Sequence, residues 1–459
     1  MIILKLEIKP LLCSYYLPCL SEFKNWKKYL DIFKSKYDKM HISESDGVKN
    51  EFTLRYDGFG FLKGENPLQF RLSKEAVRAL NIYYQNFEFN REEKIKIIAK
   101  EEEISEYQVD AFLRLFEKYV PKSDFRYIES PFNSQIKYLN LPLTIQWEIT
   151  GTCNLKCVHC YADATEKTLL GELTSKQIFH WIDQFSKYGI QSIHLLGGEP
   201  FMRKDILGII EKITQKDIFC YISTNGTLID VDIAKKLSNY EKLAIDVSLD
   251  GTCSKTHDSF RGVEGTYDKV LKTLKLMKKN EILMNVTCVL GRHNISEIDE
   301  LIDVAIHNNA KRIQFLTLSS TGRGAIASKK LGFQDRKKSI IREELVKYIL
   351  NYLDKIYIDA PFLGLSPYTF RLLEILNFQG FDQYYDMLLG CNAGLTKMGI
   401  THTGKIILCP QVRKGFGNIE KLGFLEGWKS LNRYAKQNLI CKVENCEYKK
   451  FCGGKCRIK

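Results

Sequence analysis

From Leu143 onward, short β-branched apolar runs alternate with longer stretches whose apolar residues recur every three or four positions. The short runs at Leu143–Ile149, Gln191–Leu196, Ile218–Ile222, Leu243–Leu249, Leu283–Leu290 and Ile313–Leu318 predict strands. The stretches at Ser175–Tyr188, Lys204–Thr214, Val231–Tyr240, Tyr267–Lys278 and Ser296–Asn308 predict the intervening helices. Thr174, with Gln177 three positions on, is a capping-box pattern at the first of these helices. Repeated strand–helix units predict an α/β fold with a parallel sheet and right-handed crossovers. Six such units, without a seventh or eighth, predict an open, partial (β/α)6 barrel of the TIM type.

Upstream the rhythm is different. Glu51–Leu62 and Leu68–Leu72 alternate like two short strands around a glycine-rich turn at Gly58, Gly60 and Gly64. Helical patterns follow at Ser73–Tyr84, Arg91–Lys100 and Ser105–Tyr119, and a further helix is expected around Ser21–Tyr37. A small sheet with three helices predicts a winged-helix domain over residues 1–120, joined to the barrel by a linker at 121–142. The last of its helices carries Asp110 and Glu117 beside Arg114 and Lys118, too few cations for a DNA-reading helix. A sheet edge of this kind can instead accept a peptide strand. Downstream, residues 321–389 read as a helical connection and 390–459 as a cysteine-rich domain, with a hairpin between Thr401 and Leu408 turning at Gly404.

Composition narrows the class. The net charge of +13 is spread along the chain rather than gathered in one block, so nucleic acid is not an expected partner. Lys5, Glu7 and Lys9 interrupt the apolar N-terminus, which excludes a signal peptide or membrane span there, and a cytoplasmic location is expected. In a reducing compartment, 14 cysteines point to metal rather than to disulfides.

Three of those cysteines, Cys153, Cys157 and Cys160, lie in one short loop directly after the first barrel strand. Iron–sulfur cubanes take thiolates from loops of this kind, and three thiolates leave one iron open for chemistry. Zinc is the other reading, with His159 as a fourth ligand. The loop has company. Gly197-Gly198-Glu199-Pro200, Ser223-Thr224-Asn225-Gly226 and Ser248-Leu249-Asp250-Gly251 follow the second, third and fourth strands. Loops at the carboxyl ends of parallel strands are where such sheets bind ligands, so all four converge on one mouth. Cys220 and Cys288 fall inside strands and are expected to be core thiols, whereas Cys253 and His257 fall on the loop after strand four.

The spacing Cys153-x3-Cys157-x2-Cys160, followed by Gly197-Gly198-Glu199, resembles the radical S-adenosylmethionine enzymes over residues 143–320. Cys391, Gly404 and Cys409, with Cys441, Cys446, Cys452 and Cys456, resemble the SPASM domain of that superfamily. The N-terminal domain resembles the peptide-recognition element of ribosomal-peptide (RiPP) maturases. Together with His257-Asp258-Ser259-Phe260-Arg261-Gly262, the three parts are most similar to the enzymes that join cysteine sulfur to α-carbons in sactipeptides such as bacteriocins.

That resemblance implies a [4Fe–4S] cluster on Cys153, Cys157 and Cys160, with S-adenosylmethionine on its open iron. One electron would cleave the sulfonium, giving a 5′-deoxyadenosyl radical that takes hydrogen from the substrate. Glu199 with Gly197 and Gly198 would hold the methionine ammonium, and Arg261 the carboxylate. Ser223, Asn225, Ser248 and Asp250 would contact ribose or methionine, Gln314 and Leu316 the adenine side, and His159 and Tyr161 complete the cofactor-binding set. One or two auxiliary [4Fe–4S] clusters are implied, as are a precursor peptide whose leader binds the N-terminal domain and an electron donor such as flavodoxin or ferredoxin. If Cys391, Cys409 and Cys456 hold one auxiliary cluster and Cys441, Cys446 and Cys452 the other, each is a ligand short: either a substrate thiolate completes an open site, or one cluster is lost or incomplete. Carbon–carbon coupling, β- or γ-carbon thioethers and epimerisation share this machinery. No residue stands out as a catalytic base.

Overall fold

The computed structural model describes residues 6–7, 52–56, 60–63, 69–72, 74–85, 88–119, 125–129, 141–167, 171–333, 335–352, 355–360 and 393–438. The expected helix at Ser21–Tyr37, the aromatic stretch around Tyr384, and Cys391, Cys441, Cys446, Cys452 and Cys456 lie outside these residues. The chain divides into two compact units, one comprising Met1–Cys13, His41–Leu141 and Gly380–Leu388 and the other the remainder.

The first unit holds β1 (Leu6–Glu7), β2 (Phe52–Tyr56), β3 (Gly60–Lys63) and β4 (Gln69–Leu72). It continues with helices α1 (Lys74–Gln85), α2 (Arg91–Glu101) and α3 (Glu106–Tyr119), and ends with β5 (Phe125–Glu129). The helices fall where the periodicity placed them. Glu51–Leu62, read as one strand, is instead β2 turning into β3, and its residues pair Thr53 with Lys63 through Tyr56 with Gly60. The supposed linker also contributes a strand. β5 pairs in parallel with β2, closing a sheet of order β1-β4-β3-β2-β5. Asn90 and Glu93 form a reciprocal capping box at α2, and Arg78 grips the buried Glu102 at 2.7 and 2.6 Å.

The second unit is built on β6 (Thr144–Thr150), β7 (Ser192–Gly197), β8 (Phe219–Thr224), β9 (Leu243–Ser248), β10 (Met284–Leu290) and β11 (Arg312–Thr317). Between them run α4 (Ser175–Lys187), α5 (Ile206–Gln215), α6 (Val231–Leu237), α7 (Ser254–Arg261), α8 (Thr266–Lys279) and α9 (Ile298–His307). Helices α10 (Gly324–Leu331) and α11 (Asp335–Asn351) then lead to β12 (Tyr357–Asp359). The parallel register agrees with a partial barrel but extends past six strands. β12 pairs in parallel with β11, inside the stretch read as a helical connection. β13 (Lys397–Ile400) pairs in parallel with β6 and turns at Gly404 into β14 (Lys405–Ile407), the expected hairpin; β15 (Gly415–Asn418), α12 (Ile419–Leu422) and α13 (Phe424–Asn438) follow.

Alternation along each strand separates two faces. One is apolar: Ile145, Trp147, Ile149, Ile193, Leu195, Ile222, Val286, Ile313 and Phe315 are all at most 1% exposed. Trp147 packs edge-on against Phe185 of α4, and α5 presents Ile206, Ile209, Ile210 and Ile213 as one stripe. Burying each such side chain contributes roughly 1.5–3 kcal/mol. The other face is polar and carries Gln146, Glu148, His194, Ser223, Asp246, Asn285, Arg312, Gln314 and Asp359.

Candidate functional site

The cysteine loop leaves β6 under tight control. The Glu172 carboxylate accepts from Thr150 Oγ1 at 2.9 Å and from Gly151 N at 2.8 Å. Cys153 N donates to the Thr165 carbonyl at 2.7 Å, while Lys156 N and Val158 N donate to the carbonyls of Arg261 and Phe260 at the end of α7. Gly262 has φ of +73°, and a Cβ there would lie 2.5 Å from the Lys156 carbonyl oxygen, so only glycine lets the helix end against the loop. Cys153, Cys157 and Cys160 therefore pack in one pocket with Leu155 and Ala164, all as free thiols.

Burial pushes the Cys153 thiol up to about 12 and raises Cys157 as well. Bare thiolates are disfavoured in such surroundings, and a bound cation reverses that balance. Three N–H donors already approach the sulfurs: Leu155 N at 3.4 Å and Asn225 Nδ2 at 3.9 Å from Cys153 Sγ, and Arg261 Nη1 at 3.9 Å from Cys157 Sγ. Among the described residues no group of three or more His, Cys, Asp or Glu side chains stands at metal-ligand geometry. Three gathered thiols with nearby donors fit the three-thiolate set of an open cubane.

The glycine pair after β7 is shaped by this loop. Gly197 has φ of +130°, and a Cβ at Gly197 or Gly198 would meet the carbonyls of Thr150 or Thr152. Gly198 N donates to Thr150 O at 2.7 Å, and Glu199 N to Thr152 O at 2.8 Å. The Glu199 carboxylate, fully buried, turns to its own chain: Oε1 accepts from Thr224 Oγ1 at 2.7 Å and Phe201 N at 3.1 Å, and Oε2 from Asn225 N at 2.7 Å. Burial pushes its carboxyl up to about 7 against those bonds. Asn225 Nδ2 also donates to Asn154 Oδ1, so Glu199 and Asn225 together tie the second and third strand-end loops to the cysteine loop.

Arg261 and Asp250 meet each other. Arg261 Nη2 lies 2.5 Å from Asp250 Oδ2, both buried, and Asp250 Oδ1 accepts from Val289 N at 2.7 Å. The guanidinium holds the Asp250 carboxyl below its ordinary range despite burial. Arg261 Nε, also buried, has no hydrogen-bond partner among the described residues. His257, expected on a loop, is buried in α7 with Nδ1 on Asp250 N, and Cys253 is exposed at the start of that helix. His159 stacks on Phe260 with ring centroids 4.1 Å apart, and burial holds it neutral, down to about 3. Tyr161 is pushed well up by burial near Glu148 and Cys409. Ser248 and Leu316 are half-buried on their strands. Cys409, half-buried, accepts from Val412 N at 3.3 Å.

On the polar face Ser223 and Gln314 are held by neighbours. Ser223 Oγ is 2.8 Å from His194 Nε2, which lies 3.6 Å from Asp246 Oδ2. Asp246 Oδ1 accepts from Asn285 Nδ2 at 2.8 Å and Arg312 Nη2 at 3.1 Å. Gln314 Nε2 donates to Asp359 Oδ2 at 2.8 Å, and Arg413 pairs with the buried Glu148. Glu148, Asp246 and Asp359 escaped the sequence reading. For Glu148 and Asp246 the signal was a charge between two apolar neighbours of a predicted strand, Trp147 and Ile149 or Ile245 and Val247; Asp359 gave none.

Residues 147–305 match the profile of the Radical SAM superfamily, and this part of the chain is a radical SAM domain, which implies a [4Fe–4S] cluster and S-adenosylmethionine. The AdoMet-dependent heme synthase of Methanosarcina barkeri is 29% identical over 337 residues, 71% of this chain and 93% of that protein. The antilisterial bacteriocin subtilosin biosynthesis protein AlbA of Bacillus subtilis is 25% identical over 335 residues, 70% of this chain and 68% of that protein. Streptococcus suis SuiB bound to its precursor peptide SuiA has a similar fold, with a TM-score of 0.67 at 20% identity over 89% of this chain and 94% of that one. No helix among the described residues is long and apolar enough to cross a membrane.

Proposed function

We propose that the chain is a radical S-adenosylmethionine peptide maturase that joins cysteine sulfur to an α-carbon of a ribosomally made precursor. Cys153, Cys157 and Cys160 would hold the cluster, and Arg261 Nε, the unsatisfied donor beside it, would meet the carboxylate of S-adenosylmethionine. When bound, the pair supplies a one-electron hydrogen abstraction. The chain's own part is to fix the loops, through Glu199 and Asn225, and to keep water from the sulfurs.

The observation that carries the peptide reading is coverage. The sequence matches to the heme synthase and to AlbA each leave more than a quarter of this chain outside, with 71% and 70% of it covered, whereas the SuiB fold spans 89% of it. Residues 52–129 have the small sheet and three helices that a winged-helix peptide-recognition element requires. In this reading the C-terminal cysteines hold auxiliary clusters, and a flavodoxin or ferredoxin supplies electrons.

Heme synthesis is the second reading, favoured by the 29% match. The polar face supports it less. Among the described residues Arg312 donates to Asp246, Arg413 to Glu148, and Lys397 lies near Asp359, so the described cations of this face are matched by acids rather than left for propionates. Incubating the anaerobically reconstituted chain with S-adenosylmethionine, a reductant and either iron coproporphyrin III or a cysteine-containing peptide encoded beside the gene separates the two. The peptide is expected to lose mass. A changed porphyrin with an untouched peptide contradicts the reading.

A further inference from the structure

The polar face carries one carboxylate that the fold leaves half satisfied. Asp359, the last residue of β12, is 4% exposed; its Oδ2 accepts from Gln314 Nε2, while Oδ1 has no hydrogen-bond partner among the described residues. An unsatisfied buried acceptor costs about 1–3 kcal/mol, more when charged, and a core position would gain from an apolar residue instead. The charged and polar groups that act on it are Arg312 and Gln314 on the adjacent β11, with Lys397 on β13 and Asp246 on β9. Gln314 fixes one oxygen and leaves the other buried and unused. Asp359 stands at the carboxyl end of its strand, the end at which the cysteine, Gly197–Gly198 and Asn225 loops leave theirs. Burial raises its carboxyl to about 6 against Arg312 and Lys397, so near neutrality it can take a proton and release it again.

We infer that Asp359 Oδ1 is the proton acceptor for the substrate thiol, with Gln314 as its positioning residue. This role rests on the peptide cross-linking reading above. Joining sulfur to carbon breaks one C–H and one S–H bond and forms one C–S bond. The carbon's hydrogen leaves as an atom and ends in 5′-deoxyadenosine. The thiol hydrogen leaves as a proton to Asp359. The remaining electron goes to an oxidised iron–sulfur cluster.

The test uses the reconstituted full chain, its D359N, D359E and Q314A variants, and the cysteine-containing peptide encoded beside the gene, deuterated at its α-carbons. Deuterium in 5′-deoxyadenosine reads the C–H step, and peptide mass reads the C–S step. In D359N the ratio of cross-link to deuterated 5′-deoxyadenosine is expected to fall by about a hundredfold or more, the usual scale of lost acid–base catalysis. D359E should restore part of it. Q314A should move the acidic limb of the pH profile upward, since a lost donor raises the carboxyl pKa, whereas a purely structural Gln314 would leave it in place. An unchanged ratio and pH profile in D359N overturns the assignment alone. A wild-type chain that neither takes deuterium from the peptide nor changes its mass overturns the cross-linking reading, and this role with it.

Discussion

Arg261 and Asp250 make the most demanding pair in the molecule, because neither is paid for unless the other is present. Replacing Arg261 by Met leaves the Asp250 carboxylate buried and unpaired, and is expected to cost about 3–5 kcal/mol in anaerobic urea unfolding. The double variant D250N/R261M should recover much of that loss; if it does not, the guanidinium contributes through something other than Asp250. Asp359 behaves in the opposite sense. A carboxyl raised from 3.8 to about 6 binds its proton more tightly in the folded chain, so stability falls as pH rises through that window and stays lower above it. D359N should therefore unfold at higher urea than wild type at pH 7, by up to about 3 kcal/mol, and lose the share of the slope between pH 4 and 6 that Asp359 contributes, while the raised carboxyl of Glu199 keeps its own. A D359N chain less stable than wild type would make Asp359 a structural residue. The sequence showed Arg261 and Asp250 as members of motifs but not that they pair, since residues eleven apart meet only once α7 forms. Asp359 was not legible at all, because its three-residue strand is too short for a periodicity to emerge.

At the scale of elements, the strands of the sheet were legible because each has a complete apolar face, and the helices because their stripes are regular. What escaped was the short and the polar. α7 reads as a polar loop, and its burial comes from His257, Asp258, Phe260 and Arg261, which no hydrophobic pattern marks. β12 and β13 join the sheet through backbone pairing with β11 and β6 rather than through any strand-like sequence of their own. The glycine pair was visible as a motif, but its reason is the carbonyls of Thr150 and Thr152, which only the fold brings there. Gly198→Ala must push the two strand-end loops apart. It is expected to cost about 2 kcal/mol or more, in the range for overpacking, and to lower iron retained after reconstitution while far-UV circular dichroism stays unchanged. Full iron content in that variant would show that the loop contact does not shape the cluster pocket.

In the whole molecule, labour is divided between a unit of small sheet and helices and a unit that holds the radical SAM domain. If the first unit binds a leader, removing the leader from the precursor should raise KM by about tenfold or more with little change in kcat, because local concentration is lost rather than chemistry. An unchanged KM would detach the first unit from substrate recognition. The measurement that tests the central claim most directly is the mass of the precursor peptide after anaerobic incubation with the reconstituted chain, a reductant and S-adenosylmethionine. The account predicts a loss of two hydrogens per bond, disappearance of free thiols and blocked fragmentation within the linked region, matched by 5′-deoxyadenosine. Abundant 5′-deoxyadenosine beside a peptide of unchanged mass and intact thiols would contradict thioether formation and direct attention to epimerisation, which leaves mass as it was.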